Sequence, residues 1–587
     1  MQHTLKNSLS LQWKFLSKDH LPAVAVAIAS LMIAVLMISP FFIASGGRFR
    51  VLHTHDMPTL LSMMVEFDNA FRAGALYPRW LADANFGYGF PGFVFYPSGL
   101  FYLATFFHSV IKNWYAVTFV VCVVALAASG IGLYALSRLY HGKAASAVAA
   151  LLYMLFPYHL LDLYWRGAVP EFIGFAIMPM MLYFFLRVGN EGKLQHYAGL
   201  GFFYGIHLLT HLPVGYMFTY ALAFYAFIWT LKKRDPKVAF RLACGMALGL
   251  LLSAVYWLPA ALEGKYIYEP VTEIFPYHES YITFNPPGNY FDSLVQRTFV
   301  FQLAATAIAI AVLLLQAILL WRSRNAQQDE PAETERYPQV GLWIIMAVVT
   351  TLMSTQFSMP VSKLIPKIQI AVPAWRWWAI AILFTSLLFA AAIEQTSKRF
   401  NLPWALSWSL RIMLLIVVAA NIWLSVKGVI MEKMSSGEWV FGTDFAGDGF
   451  IPVFATRPYE MPKTERAIVS PIGSAEVLVW QPQYREVDTT ANGNGTLRLK
   501  TYNFPGWQAT LDGEPAPILS DPNGSQVIRI PAGKHKVTTR FVNTPPRIIG
   551  ATLFWLGLLV IIGLTIIGRR RKDVIGNEES ANEAMSV

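Results

Sequence analysis

The stretch "YPSGLFYLATFFHSVI", residues 96–111, decides how the chain is threaded. It is apolar enough to enter a membrane. It is short for a crossing, which takes about 20 apolar residues, and Pro97, Ser98 and Gly99 interrupt its start. Longer apolar runs surround it, at roughly 21–44, 114–137, 144–164, 169–188, 196–212, 213–231, 239–261, 299–321, 338–356, 375–396, 405–428 and 547–568. If 96–111 also crossed, Arg138, Lys143 and most later basic loops would face outward. If it lies in the outer interface, Lys6, Lys14, Lys18, Arg138, Lys143, Lys232-Lys233-Arg234, Arg322, Arg324 and Lys398-Arg399 all fall inside. Positive residues mark the cytoplasmic side of multi-span proteins. The second threading follows: about twelve spans, an interfacial helix at 96–111, and both termini cytoplasmic.

Composition agrees. Of 587 residues, 55% are hydrophobic and only 14% charged, and the mean hydropathy is +0.44. A soluble domain is nearer a quarter charged, so an ordinary soluble enzyme, a disordered chain and a fibrous chain are excluded. The net charge of +11 sits in short loops between apolar runs, which argues for membrane sidedness and against a nucleic-acid partner. Arg569-Arg570-Arg571-Lys572, after the last run, reads as a stop-transfer anchor that touches anionic lipid. Cys122 and Cys244 lie inside apolar runs and give no disulfide framework. The first run is long and lacks a small-residue cleavage site after it, so it is expected to stay as a span.

Three regions face outward on this reading: loops 45–113 and 262–298, and an insert at 431–546. The expected organisation is a multi-span domain over 1–430, a β-sandwich over 431–546, and a last transmembrane helix with a basic tail over 547–587. In the insert the apolar period becomes two, in "AEVLVWQPQ" (475–483), "GTLRLKTY" (495–502), "SQVIRIPAG" (525–533) and "HKVTTRFVN" (535–543), with turn signals between them. Trp507 is expected to be buried and Asp512-Gly513 to make a hairpin turn. The insert is a packing module or a glycan contact through exposed aromatics.

Loop 45–113 carries the most informative motifs: Asp56, then "GALYPRW" (74–80), "GYGFP" (87–91) and "FYP" (95–97). This order resembles the GT-C superfamily of membrane glycosyltransferases, which includes protein mannosyltransferases and oligosaccharyltransferases. It is similar, more closely, to the bacterial membrane proteins labelled 6-pyruvoyl-tetrahydropterin-synthase-related. "FPYHLLDLYWRGAVPEF" (156–172), "VPAWRWW" (372–378) and "YNFPGWQATLDG" (502–513) add to the match. The pterin chemistry of that label has no support, because no three-histidine zinc context is present. The resemblance implies a GT-C-like fold and sugar transfer from a polyprenyl-phosphate donor to an envelope glycan, lipid or protein, on the outer face of a bacterial inner membrane. It also implies an interfacial helix in the first loop, as the charge pattern does.

An inverting transfer needs a carboxylate to take the acceptor's proton and positive groups to hold the leaving phosphate. Asp56, shortly after the first span, stands where the resemblance places the catalytic acid; it equally suits an N-cap before Pro58. Glu171 is the second catalytic candidate, or a residue favoured by the helix dipole in a first turn. Arg166 either pairs with Glu171 or Asp162 or binds phosphate. Arg376, flanked by Trp, either grips a lipid phosphate or anchors the interface. Lys265, Tyr268 and His278 are further substrate-binding candidates, with Tyr266, Tyr277 and Tyr281 completing an aromatic lid. No cofactor is certain. For a divalent metal the candidates are His55, His207 and His211, the last two placed four apart on one helical face. Many relatives carry His four residues after the early Asp, where this chain has Leu60.

Two other classes fit a polytopic chain: a transporter or flippase for a lipid-linked glycan, and a non-catalytic envelope scaffold. A transporter should bury ionisable groups near mid-membrane. Here the acids gather at the outer ends of spans.

Overall fold

The computed structural model describes residues 21–45, 48–268, 276–282, 290–326, 339–398, 404–435, 439–440, 451–453, 455 and 465–585. Lys6, Lys14 and Lys18, parts of loop 262–298, and most of 436–464 lie outside the described residues.

The chain is a multi-pass helical membrane protein with a C-terminal β region. Its long helices are α1 (Leu21–Ile38), α2 (Met57–Arg72), α3 (Gly99–Ile111), α4 (Trp114–Ser137), α5 (Lys143–Met154), α6 (Val169–Glu191), α7 (Leu194–Thr210), α8 (Leu212–Lys233), α9 (Pro236–Glu263), α10 (Tyr290–Ala326), α11 (Val340–Met353), α12 (Trp377–Lys398), α13 (Trp404–Trp423) and α14 (Pro545–Met585). Among the described residues, ten helical segments are long and apolar enough to cross a membrane. Two of the twelve expected spans fall short of that length: α7 has 17 residues and α11 has 14. Within the 96–111 stretch, Gly99–Ile111 forms α3, which has 13 residues.

Helix α12 is apolar all round and sits at the centre of the bundle, with Trp378, Ile380, Leu383, Phe384 and Leu387 fully buried. A helix without a polar face belongs inside, among other helices. Helix α1 is peripheral and leaves Leu21, Met32 and Leu36 more than half exposed. Helices α7 and α9 meet through small residues: an added Cβ on Gly249 would lie 2.9 Å from the Gly201 carbonyl oxygen. The spacings Gly201-x3-Gly205 and Gly245-x3-Gly249 let the two backbones approach this closely.

Past α1, β1 (Phe42–Ser45) and β2 (Arg48–Leu52) form a hairpin, and Trp439–Val440 pairs with the far side of β2. The insert contains two antiparallel sheets. Its strands are β3 (Ala467–Ser470), β4 (Gly473–Gln481), β5 (Tyr484–Ala491), β6 (Gly495–Tyr502), β7 (Trp507–Leu511), β8 (Glu514–Ala516), β9 (Leu519–Ser520), β10 (Ser525–Ile530) and β11 (Gly533–Phe541). The orders are β8–β7–β11–β5–β4 and β9–β10–β6–β3. Val487, Ala509 and Val537 of the first sheet share one core with Val469, Leu497, Leu499 and Ile528 of the second. Asp512 (φ 54°) and Gly513 (φ 93°) are the two central residues of the β7–β8 hairpin, as the Asp-Gly signal requires. Trp507 is buried.

The insert rests on loop 45–113. Trp80 meets Trp507 edge-on at 5.3 Å and Phe541 at 5.3 Å. Tyr88 stacks on Tyr502 at 5.4 Å, and the Tyr502 amide donates to the Tyr88 carbonyl at 2.9 Å. Gly89 (φ +70°) makes the turn that permits this, since a Cβ there would lie 2.4 Å from the Trp80 indole nitrogen. Thus "GALYPRW" and "GYGFP" build the seat for the insert. Arg547, at the start of α14, donates from Nε (3.0 Å) and Nη2 (2.8 Å) to Glu263 at the end of α9, and from Nη2 to the Pro505 carbonyl (2.8 Å).

Candidate functional site

The site forms where the Lys143–Arg166 span ends. The helix restarts at Pro157, widens into a π turn over Asp162–Arg166, and stops at Gly167, which is left-handed (φ +68°). Such π turns gather at functional sites. Gly167 is required here: a Cβ would sit 2.0 Å from the Thr54 hydroxyl oxygen. That close approach lays 53–57 against the turn. The Asp56 amide donates to the Arg166 carbonyl at 2.8 Å, and the His55 amide to the Trp165 carbonyl at 3.4 Å. Asp56 is also the N-cap residue of α2, but its carboxylate makes no capping hydrogen bond.

Glu171, in the first turn of α6, is the hub. It is fully buried. Tyr158 donates to its Oε1 at 2.7 Å; Arg166 Nη1 (2.7 Å) and Arg376 Nε (2.8 Å) donate to its Oε2. His211 Nε2 stands 3.8 Å from the same oxygen. Arg166 Nη1 also donates to Asp162 at 2.5 Å. Arg376 enters from the start of central helix α12, and its Nη1 donates to the Val372 carbonyl. Both Glu171 oxygens are therefore committed, so the geometry suits it to holding guanidiniums rather than to taking a proton as the second catalytic acid. The Asp56 carboxylate is half-buried and, among the described residues, makes no hydrogen bond or ion pair.

Two side chains complete the surroundings. Tyr96, in the turn before α3, faces the charges of Asp56, Arg376, Arg166 and Glu171; burial and then Asp56 hold its phenol above the ordinary range. Lys433 is buried with its ammonium 4.9 Å from the Trp165 ring centroid, and its charge reaches His55. The sequence carried a signal for Tyr158, since Tyr158, Asp162 and Arg166 are spaced by four. Lys433 had none, because it falls at the edge of the insert.

The remaining candidates are elsewhere or differently placed. Lys265 and Tyr268 lie past the end of α9, where Ile267–Tyr268 pairs with Ile451–Pro452, and Lys265 sits over the Tyr266 ring. His278 is exposed. Tyr277 and Tyr281 are not lid residues but packing: Trp377 donates its indole N–H to the Tyr277 hydroxyl at 3.0 Å, and Tyr281 bonds Ser362. Residues 269–275 and 283–289 of the expected lid lie outside the described residues. Trp378 is buried and donates to Ser354 at 3.1 Å, so it is no interfacial anchor. His207 and His211 do not share a helical face. Helix α7 ends at Thr210, and His211 is extended (φ −148°), accepting from the Val214 amide as the N-cap of α8. Among the described residues, no three His, Cys, Asp or Glu side chains converge to hold a metal.

Residues 93–429 match the model of the 6-pyruvoyl-tetrahydropterin synthase related domain, described as a membrane protein. The chain belongs to this family. No curated protein sequence matches it significantly. Among solved structures it is similar to the mycobacterial arabinofuranosyltransferase AftD (15% identity, TM-score 0.43, 70% of this chain, 27% of AftD). It is also similar to ArnT from Cupriavidus metallidurans bound to undecaprenyl phosphate (16%, 0.35, 70% and 73%) and to the archaeal oligosaccharyltransferase AglB from Archaeoglobus fulgidus (14%, 0.36, 70% and 55%). The chain thus spans little more than a quarter of AftD. Likeness at this level carries no functional weight.

Proposed function

We propose that the protein is a membrane glycosyltransferase that moves a sugar from a polyprenyl-phosphate donor to a hydroxyl acceptor in the envelope. The observation that carries this reading is the Asp56 carboxylate, which makes no hydrogen bond among the described residues while the Asp56 amide bonds the Arg166 carbonyl at one end of the bundle. Asp56 takes the acceptor's proton as the acceptor oxygen bonds to the anomeric carbon. The bond from that carbon to the phosphate oxygen breaks, and the polyprenyl phosphate leaves with the electron pair. Attack from the opposite face inverts the centre. Arg376, whose Nη2 makes no protein hydrogen bond among the described residues, steadies the leaving phosphate, while Glu171 aligns it. No step here needs a metal.

The site end of the bundle is assigned to the periplasmic face of a bacterial inner membrane, with twelve crossings and cytoplasmic termini. Arg138, Lys143, Lys193 and Lys232-Lys233-Arg234 all lie at helix ends opposite the site, which supports this sidedness.

The test is Asp56→Asn in cells and in proteoliposomes given lipid-linked sugar. Loss of glycan product with normal expression and melting temperature is expected. Unchanged product would overturn the assignment and leave the transporter or scaffold reading.

A further inference from the structure

Between α11 and α12 the chain runs through "STQFSMPVSKLIPKIQIAVP", residues 354–373. Two rulers fix its depth. Trp378 of α12 donates its indole N–H to Ser354 at 3.1 Å, and Glu394 of the same helix accepts the Gly142 amide at 2.9 Å, in the basic loop that holds Arg138 and Lys143. The sixteen residues from Trp378 to Glu394 rise about 24 Å. Tyr216 of α8 donates to the Pro366 carbonyl and stands sixteen residues from Lys232, again about 24 Å. The hydrocarbon layer of a bilayer is about 30 Å thick. With the basic loops at one boundary, 354–366 reaches no farther than the other.

The faces of this segment are inverted relative to a turn in water. Phe357, Val361 and Leu364, spaced by four and three, are 66%, 53% and 82% exposed. Leu352 of α11, 47% exposed, continues that apolar face toward mid-membrane. Ser358 and Ser362 are buried instead: Ser358 donates to the Met353 carbonyl at 3.0 Å, and Ser362 meets the Tyr281 hydroxyl. The backbone is also sealed from within. The amides of Lys363, Leu364 and Ile365 donate to the carbonyls of Met359, Val361 and Ser362 at 3.0–3.1 Å. Hydroxyls turned inward, apolar chains turned outward and internally paired backbone groups are what lipid demands and water does not.

Charge selects the lipid. From 337 to 393 the sequence holds no Asp or Glu, and its basic residues are Lys363, Lys367 and Arg376. Both lysines are exposed, on either side of Leu364 and Pro366. Among the described residues, Glu279 on the neighbouring 277–282 turn pairs with neither. A lysine at this depth lays its stem along apolar surface and lifts its ammonium to the headgroups. We propose that 354–373 is an interfacial shelf embedded in the leaflet at the Asp56 end, and that Lys363 and Lys367 hold the phosphate of an anionic phospholipid there. The partner is the lipid surface itself, continuous with the lipid that faces α11. Nothing in this depends on sugar transfer.

The experiment uses the full chain in nanodiscs of phosphatidylcholine with a minor share of phosphatidylglycerol. A nitroxide is attached at Leu364→Cys, after Cys122→Ala and Cys244→Ala, and its collisions with oxygen and with a water-soluble nickel chelate are compared. Oxygen should dominate at 364, whereas the chelate should dominate at an aqueous control, Glu514→Cys in the insert. Dominance of the chelate at 364 would place the segment in water and overturn the proposal. Shielding from both reagents would overturn it too, because another part of the chain, a second copy or a protein partner would then cover the face. Native mass spectrometry reads the second half. The double variant Lys363→Gln/Lys367→Gln should retain phosphatidylglycerol about fivefold less than the wild type, or lower still, with phosphatidylcholine unchanged. Lys363→Arg/Lys367→Arg should restore it. Equal retention of phosphatidylglycerol by the wild type and the Gln variant, at equal melting temperature, would overturn the assignment of the lysines.

Discussion

Arg376 and Glu171, separated by 205 positions, meet through a 2.8 Å hydrogen bond from Nε to Oε2. This contact joins the start of the central helix α12 to the first turn of α6. It fixes Arg376 by a buried charge, and the same carboxylate holds Arg166. Removing one member leaves buried charges uncompensated, which costs about 3–5 kcal/mol. Glu171→Ala should therefore lower thermal stability by that order, and Glu171→Gln by less. Differential scanning fluorimetry of the purified protein checks this. A change under about 0.5 kcal/mol would show that the network is not structural.

Gly167 tests how the site is assembled. Gly167→Ala places a methyl group against Thr54 and strains a left-handed residue. The expected result is a loss of about 2 kcal/mol or more, together with loss of product. Thr54→Ala should relieve part of that loss in the double variant, because it removes the hydroxyl that the methyl meets. Purely additive losses would place the damage elsewhere.

Trp80 tests the docking of the insert. Trp80→Ala removes the ring that touches Trp507, Phe504 and Phe541. Large-to-small changes of a buried aromatic cost about 3–5 kcal/mol. Limited proteolysis should cut the insert junctions faster in the variant. Unaltered cleavage would mean that the insert holds its place by its tethers alone.

Glu66, in α2, gives a pH dependence. Burial raises its carboxyl from 4.5 to about 7, against the lowering effect of the Asp83 amide, which donates to it at 3.1 Å. The folded state holds this proton more tightly than the unfolded state does. Its stabilising share is complete below about pH 4.5 and is lost as pH rises through about 7. Melting temperature followed from pH 5 to pH 8 should fall less steeply in Glu66→Gln than in the wild type. Parallel curves would remove Glu66 as the cause.

Much of the architecture was legible because lipid imposes simple rules. Apolar length and loop charge located the helical segments, and α3 emerged at 99–111, within the 96–111 stretch. Period-two alternation placed β4, β6, β10 and β11 closely, and Asp512-Gly513 marked its hairpin. The shortfall of α7 was legible, since the 196–212 run is no longer than the helix; that of α11 was not, because the turn at Ser354 ends the helix inside its apolar run. At the candidate site, Arg166, Glu171 and Arg376 were singled out and the structure brings them together, but which of them pair with one another was not legible. Sequence shows which residues carry charge, whereas only geometry shows that Glu171 spends both oxygens on donors and that Asp56, among the described residues, spends neither. Trp80 and Tyr88 were read only as part of a motif, since their partners lie in a segment far along the chain.

The Trp80–Trp507 contact also has a consequence for biosynthesis. The two rings leave the ribosome about 430 residues apart. At roughly 5–20 residues per second, tens of seconds pass between them. During that interval the nascent protein displays Trp80 and Tyr88 without their cover. Messages truncated before the insert would leave that aromatic face permanently bare, a mark by which quality control could recognise an unfinished product.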